Sequence, residues 1–301
     1  MLDKLKKALA NIEGLDLRYD HKLKEYTSFK IGGKADIFAI PKTKNTLIEL
    51  LQLLQDYQFP FFILGKGSNI IVGDKGYRGM IIYTGELKNV NIEGTIIKAE
   101  AGITLAALAN KALAAGLSGL EFASGIPGSL GGALYMNAGA YGSEMKDVVR
   151  EASLLDYAGN EYIYSKEELA LSYRYSILQK KPLIVLTVSM ELEKGNKEEI
   201  KAKMLELNRR RKEKQPLEWP SAGSIFKRPE GHYVGPMIEE LGLKGYRIGD
   251  AQISEKHAGF IINLGNATAA DVIKLIKLVQ DKIYKEKGIK LEPEPRFIGE
   301  F

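Results

Sequence analysis

The sequence predicts an α+β protein of two or three domains, and three observations lead to this fold class. A chain of 301 residues is long enough for that number of packed domains. Apolar residues follow strand-like and helix-like patterns in turn along the first two thirds of the chain. After Gly195 the pattern changes to a charged helix, a proline-punctuated loop and a second α/β stretch, which indicates a domain boundary there.

The first segment is predicted to begin with a short amphipathic helix within residues 1–17, where leucines recur at helical spacing. DIFAIP at 36–41 predicts a strand, and Thr43 is placed to cap the helix that follows it. FPFFIL at 59–64 predicts a buried strand that runs into the glycine loop GKGSN at 65–69.

The central segment continues with strands and one more helix. The predicted strands are 79–83, 95–101, 152–156, 161–165 and 182–192. Thr104 is predicted to cap an alanine-rich helix that ends at Ala115. A glycine-rich loop region, beginning GIPGSLGG at residue 125, separates this helix from the next strand.

Beyond Gly195 the pattern predicts a helix over 196–214 and a loop, QPLEWPSAGS, over 215–224. AGFIINLG at 258–265 predicts a strand, and Thr268 is placed to cap an amphipathic helix. The tail IKLEPEPRFIG is predicted to be extended.

Composition excludes several classes of site. The chain has no cysteine and three scattered histidines, so disulfides, thiolate chemistry and a zinc cluster are not expected. No apolar run approaches the roughly 20 residues that span a membrane, and the N-terminus has no signal-peptide pattern, so a cytoplasmic protein is predicted.

The net charge is +5, and the densest basic run is Arg209–Lys212, followed by Lys214. The run is typical of a solvated helix end, and it also suits an anionic small molecule. Nucleic acid is the weaker interpretation because no aromatic-interleaved basic motif accompanies the run.

Two glycine loops predict a long nucleotide ligand. GKGSN offers consecutive N–H groups that suit a phosphate, although the sequence has neither a P-loop nor a Rossmann fingerprint. A second cluster has six glycines within 18 residues, which is more than a structural loop needs. Pyrophosphate at one loop and a flat ring at the other would fit a dinucleotide cofactor.

Six stretches identify a family that this chain resembles. They are YTSFKIGGKAD (26–36), LGKGSNIIV (64–72), SGIPGSLGGALYMNAGAYG (124–142), SYRYS (172–176), PSAGSIFKRP (220–229) and LEPEPRFIG (291–299). In this order they resemble the UDP-N-acetylenolpyruvoylglucosamine reductases (MurB). The chain is similar to the type II form, because no long insertion follows SYRYS.

The resemblance implies an FAD-binding domain of the vanillyl-alcohol-oxidase (PCMH) type in two lobes, 1–85 and 86–195. A separate α/β substrate-binding domain at 196–301 would follow, with a tail that returns to the active site. It also implies reduction of UDP-N-acetylglucosamine enolpyruvate with FAD and NADPH, by a monomer without nucleic-acid or membrane partners.

The resemblance also assigns residues. Ser224 is implied as proton donor, Arg174 as stabiliser of the substrate carboxylate and enolate, and Glu294 as the carboxyl that orients the enol group. Pro295 stands where the family usually has valine, and Lys66 where it has a small residue. The cofactor-binding residues implied are Gly65, Lys66, Gly67, Ser68, Asn69, Gly125, Ile126, Pro127, Gly128, Ser129, Gly131, Gly132, Gly139 and Tyr141. The substrate-binding residues implied are Lys214, Lys227, Arg228, His257 and Arg296, and no metal is expected.

Two alternatives stay open at this point. One is another FAD-dependent oxidase or dehydrogenase of the same fold, which the C-terminal motifs argue against. The other is a non-redox nucleotide-binding protein, which would bind a nucleoside triphosphate and retain no flavin.

Overall fold

The computed structural model describes residues 2–301. Its α-helices are α1 (Leu2–Leu9), α2 (Lys44–Asp56), α3 (Leu105–Ala114), α4 (Leu130–Tyr135), α5 (Met145–Val148), α6 (Lys197–Lys214), α7 (Val234–Glu240) and α8 (Ala269–Lys287). Its strands are β1 (Leu15–Lys22), β2 (Lys34–Pro41), β3 (Phe61–Leu64), β4 (Ile70–Val72), β5 (Tyr77–Tyr83), β6 (Val90–Glu93), β7 (Ile96–Glu100), β8 (Leu117–Ser118), β9 (Gly139–Ala140), β10 (Ser143–Glu144), β11 (Val149–Asp156), β12 (Glu161–Ser165), β13 (Leu183–Glu191), β14 (Glu193–Lys194), β15 (Ser221–Ser224), β16 (Arg247–Ile248), β17 (Ala251–Ile253), β18 (Phe260–Asn263) and β19 (Arg296–Ile298).

The chain forms two compact units, each built from separate segments of the sequence. The first unit comprises the residues through Tyr19, Ile37–Lys66 and Gly79–Arg210. The second comprises Asp20–Asp36, Gly67–Arg78 and Arg211–Phe301.

The first unit has two hydrophobic cores. In one core, α2 packs Leu47, Leu50 and Leu54 against strands that include β2 and β5. The other core contains residues of α3 and α4 and of the antiparallel sheet β12-β11-β13-β7-β6. The first glycine loop begins directly after β3, and residues 125–129 lead directly into α4.

The second unit has one core. Its antiparallel sheet has the order β15-β18-β17-β16, and α7 and α8 pack on the same core. A separate two-stranded sheet also belongs to this unit. In it, β19 pairs in parallel with β4, so the C-terminal strand joins the segment that follows the first glycine loop.

The predicted helix caps are confirmed. Thr43 accepts the N–H of Thr46 at the start of α2, and Thr104 accepts the N–H of Ala107 at the start of α3. Thr268 opens α8 with a capping box, and Gly288 ends it at φ 68°. These caps act within one helical turn, so the sequence pattern is sufficient to place them.

The predicted short N-terminal helix is confirmed. It ends at Leu9, and the chain becomes strand β1 at Leu15, with Gly14 at φ 75° between them. Two other predicted elements are corrected. The glycine loop contains a helix, α4, in which burial of Leu130, Ala133 and Leu134 offsets the low helix propensity of two glycines. SAGS at 221–224 is strand β15 rather than loop, because pairing with β18 overrides its weak strand propensity.

The compact units do not follow the predicted domain boundaries. Helix α6 begins within the predicted third domain, but Ile200, Met204 and Leu207 are buried in a core of the first unit. Residues 20–36 and 67–78, assigned by prediction to the first lobe, belong to the second unit. As functional domains, 1–85, 86–195 and 196–301 stay a prediction. Over residues 2–301, the helices are too short or too polar to cross a lipid bilayer.

Candidate active site

The two glycine loops touch each other within the first unit. A methyl group placed on Gly65 would lie 2.2 Å from Oγ of Ser129. Gly65 follows β3, and Ser129 is the buried residue that precedes α4. The structure therefore brings together two of the predicted cofactor-binding residues, which are 64 positions apart in the sequence.

The glycines of the second loop divide into two kinds. A methyl group on Gly131 would lie 2.9 Å from Cβ of Ala101, and one on Gly139 would lie 2.6 Å from Cβ of Glu144. Both glycines are therefore required by contacts within the protein. Gly132 is exposed, and a methyl group there would make only an ordinary contact with Ser129 at 3.5 Å. Contacts within the protein therefore do not require a glycine at this exposed position.

The backbone of this loop fits FAD. Leu130 and Gly131 donate their N–H groups to the carbonyls of Ile103 and Ala101. By contrast, the N–H groups of Gly128, Ser129 and Gly132 reach no backbone acceptor within residues 2–301. Adjacent N–H groups without a backbone acceptor, in a partly exposed loop, suit the oxygen atoms of a pyrophosphate or of a flavin ring. Gly125, Ile126 and Pro127 form the same loop, with Pro127 exposed.

Tyr141 connects the glycine-rich segment to helix α6. Its φ is 58°, an uncommon conformation for a bulky residue. The guanidinium of Arg210 lies 5.0 Å from the centre of its ring, within cation–π range. The basic run of α6 therefore starts next to a predicted cofactor-binding residue, while Lys214 is exposed at the last residue of the helix.

Arg174 occupies the tip of a tight turn in the first unit. Ser172 and Tyr175 exchange two backbone hydrogen bonds of 3.1 and 3.0 Å across this turn. Arg174 is half-buried at φ 53°, and its guanidinium lies 5.2 Å from the ring centre of Tyr173. A non-glycine residue in this conformation carries strain, which is typical of functional positions.

In the second unit, Ser224 is positioned by a β-bulge. Ser221 pairs with Ile262 and Ser224 with Phe260, so β15 has one extra residue between these pairs. Gly223 supplies the required backbone conformation at φ 79°. Bulges of this kind redirect a side chain and are common beside active sites. Oγ of Ser224 donates to the carbonyl of Phe226 at 3.3 Å, a long bond for a hydroxyl.

His257 flanks the same position as Ser224. A methyl group on Gly259 would lie 3.0 Å from Cε1 of His257 and 3.8 Å from Oγ of Ser224. Nδ1 of His257 accepts the N–H of Gly259 at 3.1 Å, which places the proton of the neutral ring on Nε2. Burial lowers the pKa of His257 from its ordinary value of 6.5. His257 is therefore a neutral hydrogen-bond donor at pH 7, not a cation.

The Glu294 segment lies beside the end of β15. The N–H of Glu294 donates to the carbonyl of Ile225, the residue after Ser224, at 2.9 Å. The side-chain amide of Asn69 donates to the carbonyl of Glu294 at 3.3 Å, and the N–H of Arg296 donates to the carbonyl of Asn69. The structure thus places Glu294, Ser224 and Asn69 on neighbouring backbone segments.

Glu292 and Glu294 differ in environment. The segment is not a strand at these positions, since β19 begins at Arg296. Glu292 is exposed and forms an ion pair with Lys227 at 2.5 Å. Glu294 is half-buried. Of the two carboxylates, only that of Glu292 is therefore at the surface in an ion pair with Lys227.

The remaining predicted residues are more exposed. The guanidinium of Arg228 lies 4.0 Å from the ring centre of Tyr233, and both side chains are at the surface. Lys66 and Arg296 are also exposed. Gly67 has a packing reason, since a methyl group there would lie 2.1 Å from the carbonyl oxygen of Tyr26. Ser68, which follows Gly67 in the sequence, is half-buried.

Two further residues, Ser28 and Asn263, support the sheet that carries Ser224 and were not predicted from the sequence. Oγ of Ser28 donates to the carbonyl of Ser221 at 2.8 Å, and Nδ2 of Asn263 donates to the carbonyl of Phe29 at 3.1 Å. Both hold the segment 26–36 against the sheet that carries Ser224. Ser28 lies inside the motif YTSFKIGGKAD, and that position was the available signal.

Comparison with known proteins identifies the two parts of the chain. Residues 35–163 match the family model of an FAD binding domain, and residues 215–298 match the C-terminal domain of UDP-N-acetylenolpyruvoylglucosamine reductase. The predicted FAD cofactor is therefore confirmed.

Similar proteins span the whole chain. The UDP-N-acetylenolpyruvoylglucosamine reductase of Caldanaerobacter subterraneus subsp. tengcongensis is 56% identical, over 100% of this chain and 98% of its own length. The enzyme of the same name from Alkaliphilus oremlandii is 51% identical, over 99% of this chain and 100% of its own length. The crystal structure of the reductase (MurB) from Thermus caldophilus is 38% identical with a TM-score of 0.81, covering 94% of this chain and 98% of that chain.

These matches confirm the predicted fold class, an FAD-binding domain followed by a separate α/β domain. Identities of 51–56% over the full length also show that the six sequence motifs are those of this family. The chain belongs to the UDP-N-acetylenolpyruvoylglucosamine reductase family.

Proposed function

We propose that the protein reduces the enolpyruvyl ether of UDP-N-acetylglucosamine enolpyruvate to the lactyl ether of UDP-N-acetylmuramate, with NADPH as reductant. The observation that carries this proposal is the bulged strand that presents Ser224 beside the Glu294 segment and a neutral His257. The family of the chain and its FAD-binding domain support the redox chemistry. When bound, FAD supplies the hydride, received from NADPH, that is added to the enol carbon distant from the ether oxygen.

Hydride addition leaves an enolate conjugated with the substrate carboxylate, and the adjacent carbon then needs a proton. We assign that proton to Oγ of Ser224, whose long bond to Phe226 leaves the hydroxyl easy to reorient. Arg174 offers a planar set of donors for the carboxylate and for the negative charge that develops on it. Glu294 orients the enol group, and His257 donates from Nε2 to the substrate. Lys214, Lys227, Arg228 and Arg296 are proposed to contact the UDP portion.

The FAD contacts in the first unit are assigned to the backbone of 125–132, because the N–H groups of Gly128, Ser129 and Gly132 have no backbone acceptor among residues 2–301. Gly65, Lys66, Gly139 and Tyr141 lie on neighbouring segments and are included in the assignment. Gly67, Ser68 and Asn69 complete it. A cytoplasmic location, which composition supports, and a monomeric state, which the family resemblance implies, belong to the same proposal.

The test is the visible spectrum of the purified protein, before and after anaerobic NADPH and then after the enolpyruvyl substrate. We expect a flavin spectrum that bleaches with NADPH and returns with the substrate. A flavin that bleaches but ignores the substrate would favour another FAD-dependent oxidase or dehydrogenase. A chain that takes up no FAD would overturn the proposal.

The role of Ser224 is tested with the variant Ser224→Ala. Flavin reduction by NADPH should stay within about twofold of wild type, while reoxidation by the substrate should slow by about 10²-fold or more. Ser221→Ala is the matched control, since it removes a hydroxyl from the same strand. Equal losses in both half-reactions would remove Ser224 from the role of proton donor.

A further inference from the structure

Two side-chain amides hold the turn that carries Arg174. Gln179 donates from Nε2 to the carbonyl of Arg174 at 2.9 Å and to the carbonyl of Tyr135 at 3.1 Å. Asn137 donates from Nδ2 to the carbonyl of Ser172 at 3.0 Å. The two amides therefore hold the turn at Ser172, where it begins, and at Arg174 itself.

Asn137 is built for this position. It is fully buried, its φ is 42°, and its Oδ1 accepts the N–H of Lys146 at 2.9 Å. Asparagine tolerates a left-handed backbone better than most residues, so the side chain can sit where it meets both partners. Donor and acceptor are both satisfied, which makes this a complete buried polar contact.

The anchors of both amides come from the segment that ends the glycine-rich helix. Tyr135 is the last residue of α4, and Asn137 lies two residues beyond it. Ser176 adds a third bond, from Oγ to the carbonyl of Tyr135 at 2.8 Å. The turn with Arg174 is thereby fixed to the loop and helix assigned to FAD.

The strained backbone of Arg174 needs such support. A left-handed conformation at an arginine persists only where surrounding contacts hold it. A guanidinium that must meet a planar carboxylate also needs a fixed direction, since a displacement of about 1 Å can cost 10²-fold in rate. Arg174 has both the strained backbone and a carbonyl that accepts a hydrogen bond from the Gln179 amide.

We infer that Gln179 and Asn137 are positioning residues for the reduction, acting through Arg174. This inference rests on the proposed function. They hold the backbone of Arg174 so that its guanidinium is fixed before the substrate carboxylate arrives. Neither residue touches the substrate in this role, and the carbonyls that they bind are those of the turn.

The first variant is Gln179→Met, which keeps the side-chain length and removes both donors. FAD retention and flavin reduction by NADPH should match wild type, and reoxidation at saturating substrate should slow by about tenfold to a hundredfold. The kcat should fall more than KM rises. Gln252→Met is the control, because it removes a similar amide–carbonyl bond, to Gly245 at 3.1 Å, and should leave the kinetics unchanged.

Two further measurements separate positioning from mere structure. In the Arg174→Ala background, Gln179→Met should cause no further loss, because its effect passes through Arg174. Hydrogen exchange of the amides at 172–176 should be faster in Gln179→Met than in Gln252→Met, with or without substrate. Asn137→Gly, which accepts the positive φ, should reproduce both effects.

The outcomes are distinguishable. If wild type turns over the substrate and Gln179→Met matches it, or if exchange at 172–176 is unchanged, the inference is wrong and the proposed function stands. Additive losses in the double variant would also overturn it. A wild type that binds FAD but never reacts with the substrate would overturn the proposed function, and the inference with it.

Discussion

The backbone conformation of Arg174 lowers the stability of the folded protein. At φ 53° its Cβ crowds the backbone, which costs roughly 1 kcal/mol or more for any residue but glycine. We expect Arg174→Gly to be more stable than Arg174→Ala by about 1 kcal/mol, while both lose the reaction with substrate. Urea unfolding of the two variants measures the difference. Equal stability would mean that the turn relaxes when the arginine is removed.

His257 gives the protein an acid-sensitive residue. Burial lowers its pKa in the folded state from 6.5, so the unfolded chain binds the proton more readily. The stability that depends on neutral His257 is present above pH 6.5 and is lost as the pH falls through the lower folded-state pKa. His257→Gln should therefore lose less stability than wild type between pH 7.5 and pH 5. Thermal unfolding across this range checks the expectation, and parallel curves would contradict it.

At the scale of the element, the loop and helix of 125–135 contain glycines for two reasons, close packing within the protein and access for a ligand. Gly131 faces Ala101 at a distance that leaves no room for a side chain, whereas a methyl group on Gly132 would make only an ordinary contact with Ser129. The sequence interpretation, that glycines keep the backbone clear for a ligand, therefore suits Gly132 and does not explain Gly131. The number of glycines exceeds what a ligand needs because packing requires some of them.

The two neighbouring glycines make a matched pair of variants. Gly131→Ala should destabilise the fold by about 1–3 kcal/mol, since its methyl group would overlap Ala101. Gly132→Val should fold as well as wild type and lose FAD, because its side chain fills the space beside the free N–H groups. Urea unfolding and the flavin absorbance of the purified variants test both. A yellow Gly132→Val would move the flavin away from this loop.

Strand β15 illustrates the limit of local patterns. Ser-Ala-Gly-Ser has the composition of a loop, and the sequence predicts one. Its pairing with β18, and the bulge at Gly223, depend on a partner some 40 residues further along the chain. No pattern within the four residues contains that information.

At the scale of the whole molecule, FAD and the fold are linked. A ligand that binds only the folded chain stabilises it by about 2.7 kcal/mol at a concentration of 100 times its Kd. We expect FAD added to the stripped protein to raise Tm, and Gly132→Val to show no such rise. Thermal unfolding over a range of FAD concentrations makes the measurement. A Tm independent of FAD would contradict an FAD-binding fold.

Each compact unit is discontinuous in sequence, which explains why the domain boundaries were hard to predict. A change of composition near Gly195 marks the start of α6 correctly. It does not reveal that α6 belongs to the first unit as far as Arg210, since its apolar residues could face either side. Segments 20–36 and 67–78 carry no local signal that they pack with the C-terminal residues.

The sequence by itself determined the helix caps, most strands, the two glycine loops and the six motifs that led to the family. Each of these depends on residues within a few positions of each other, or on an ordered set of motifs. The linear sequence contains both kinds of information. The tertiary structure decided that Gly65 meets Ser129, that a bulge orients Ser224, that Glu292 pairs with Lys227 and that two amides hold Arg174 at positive φ. Most of these contacts join residues tens of positions apart, and the backbone conformation of Arg174 is set by neighbours rather than by its own preference. Only the packed chain therefore specifies them.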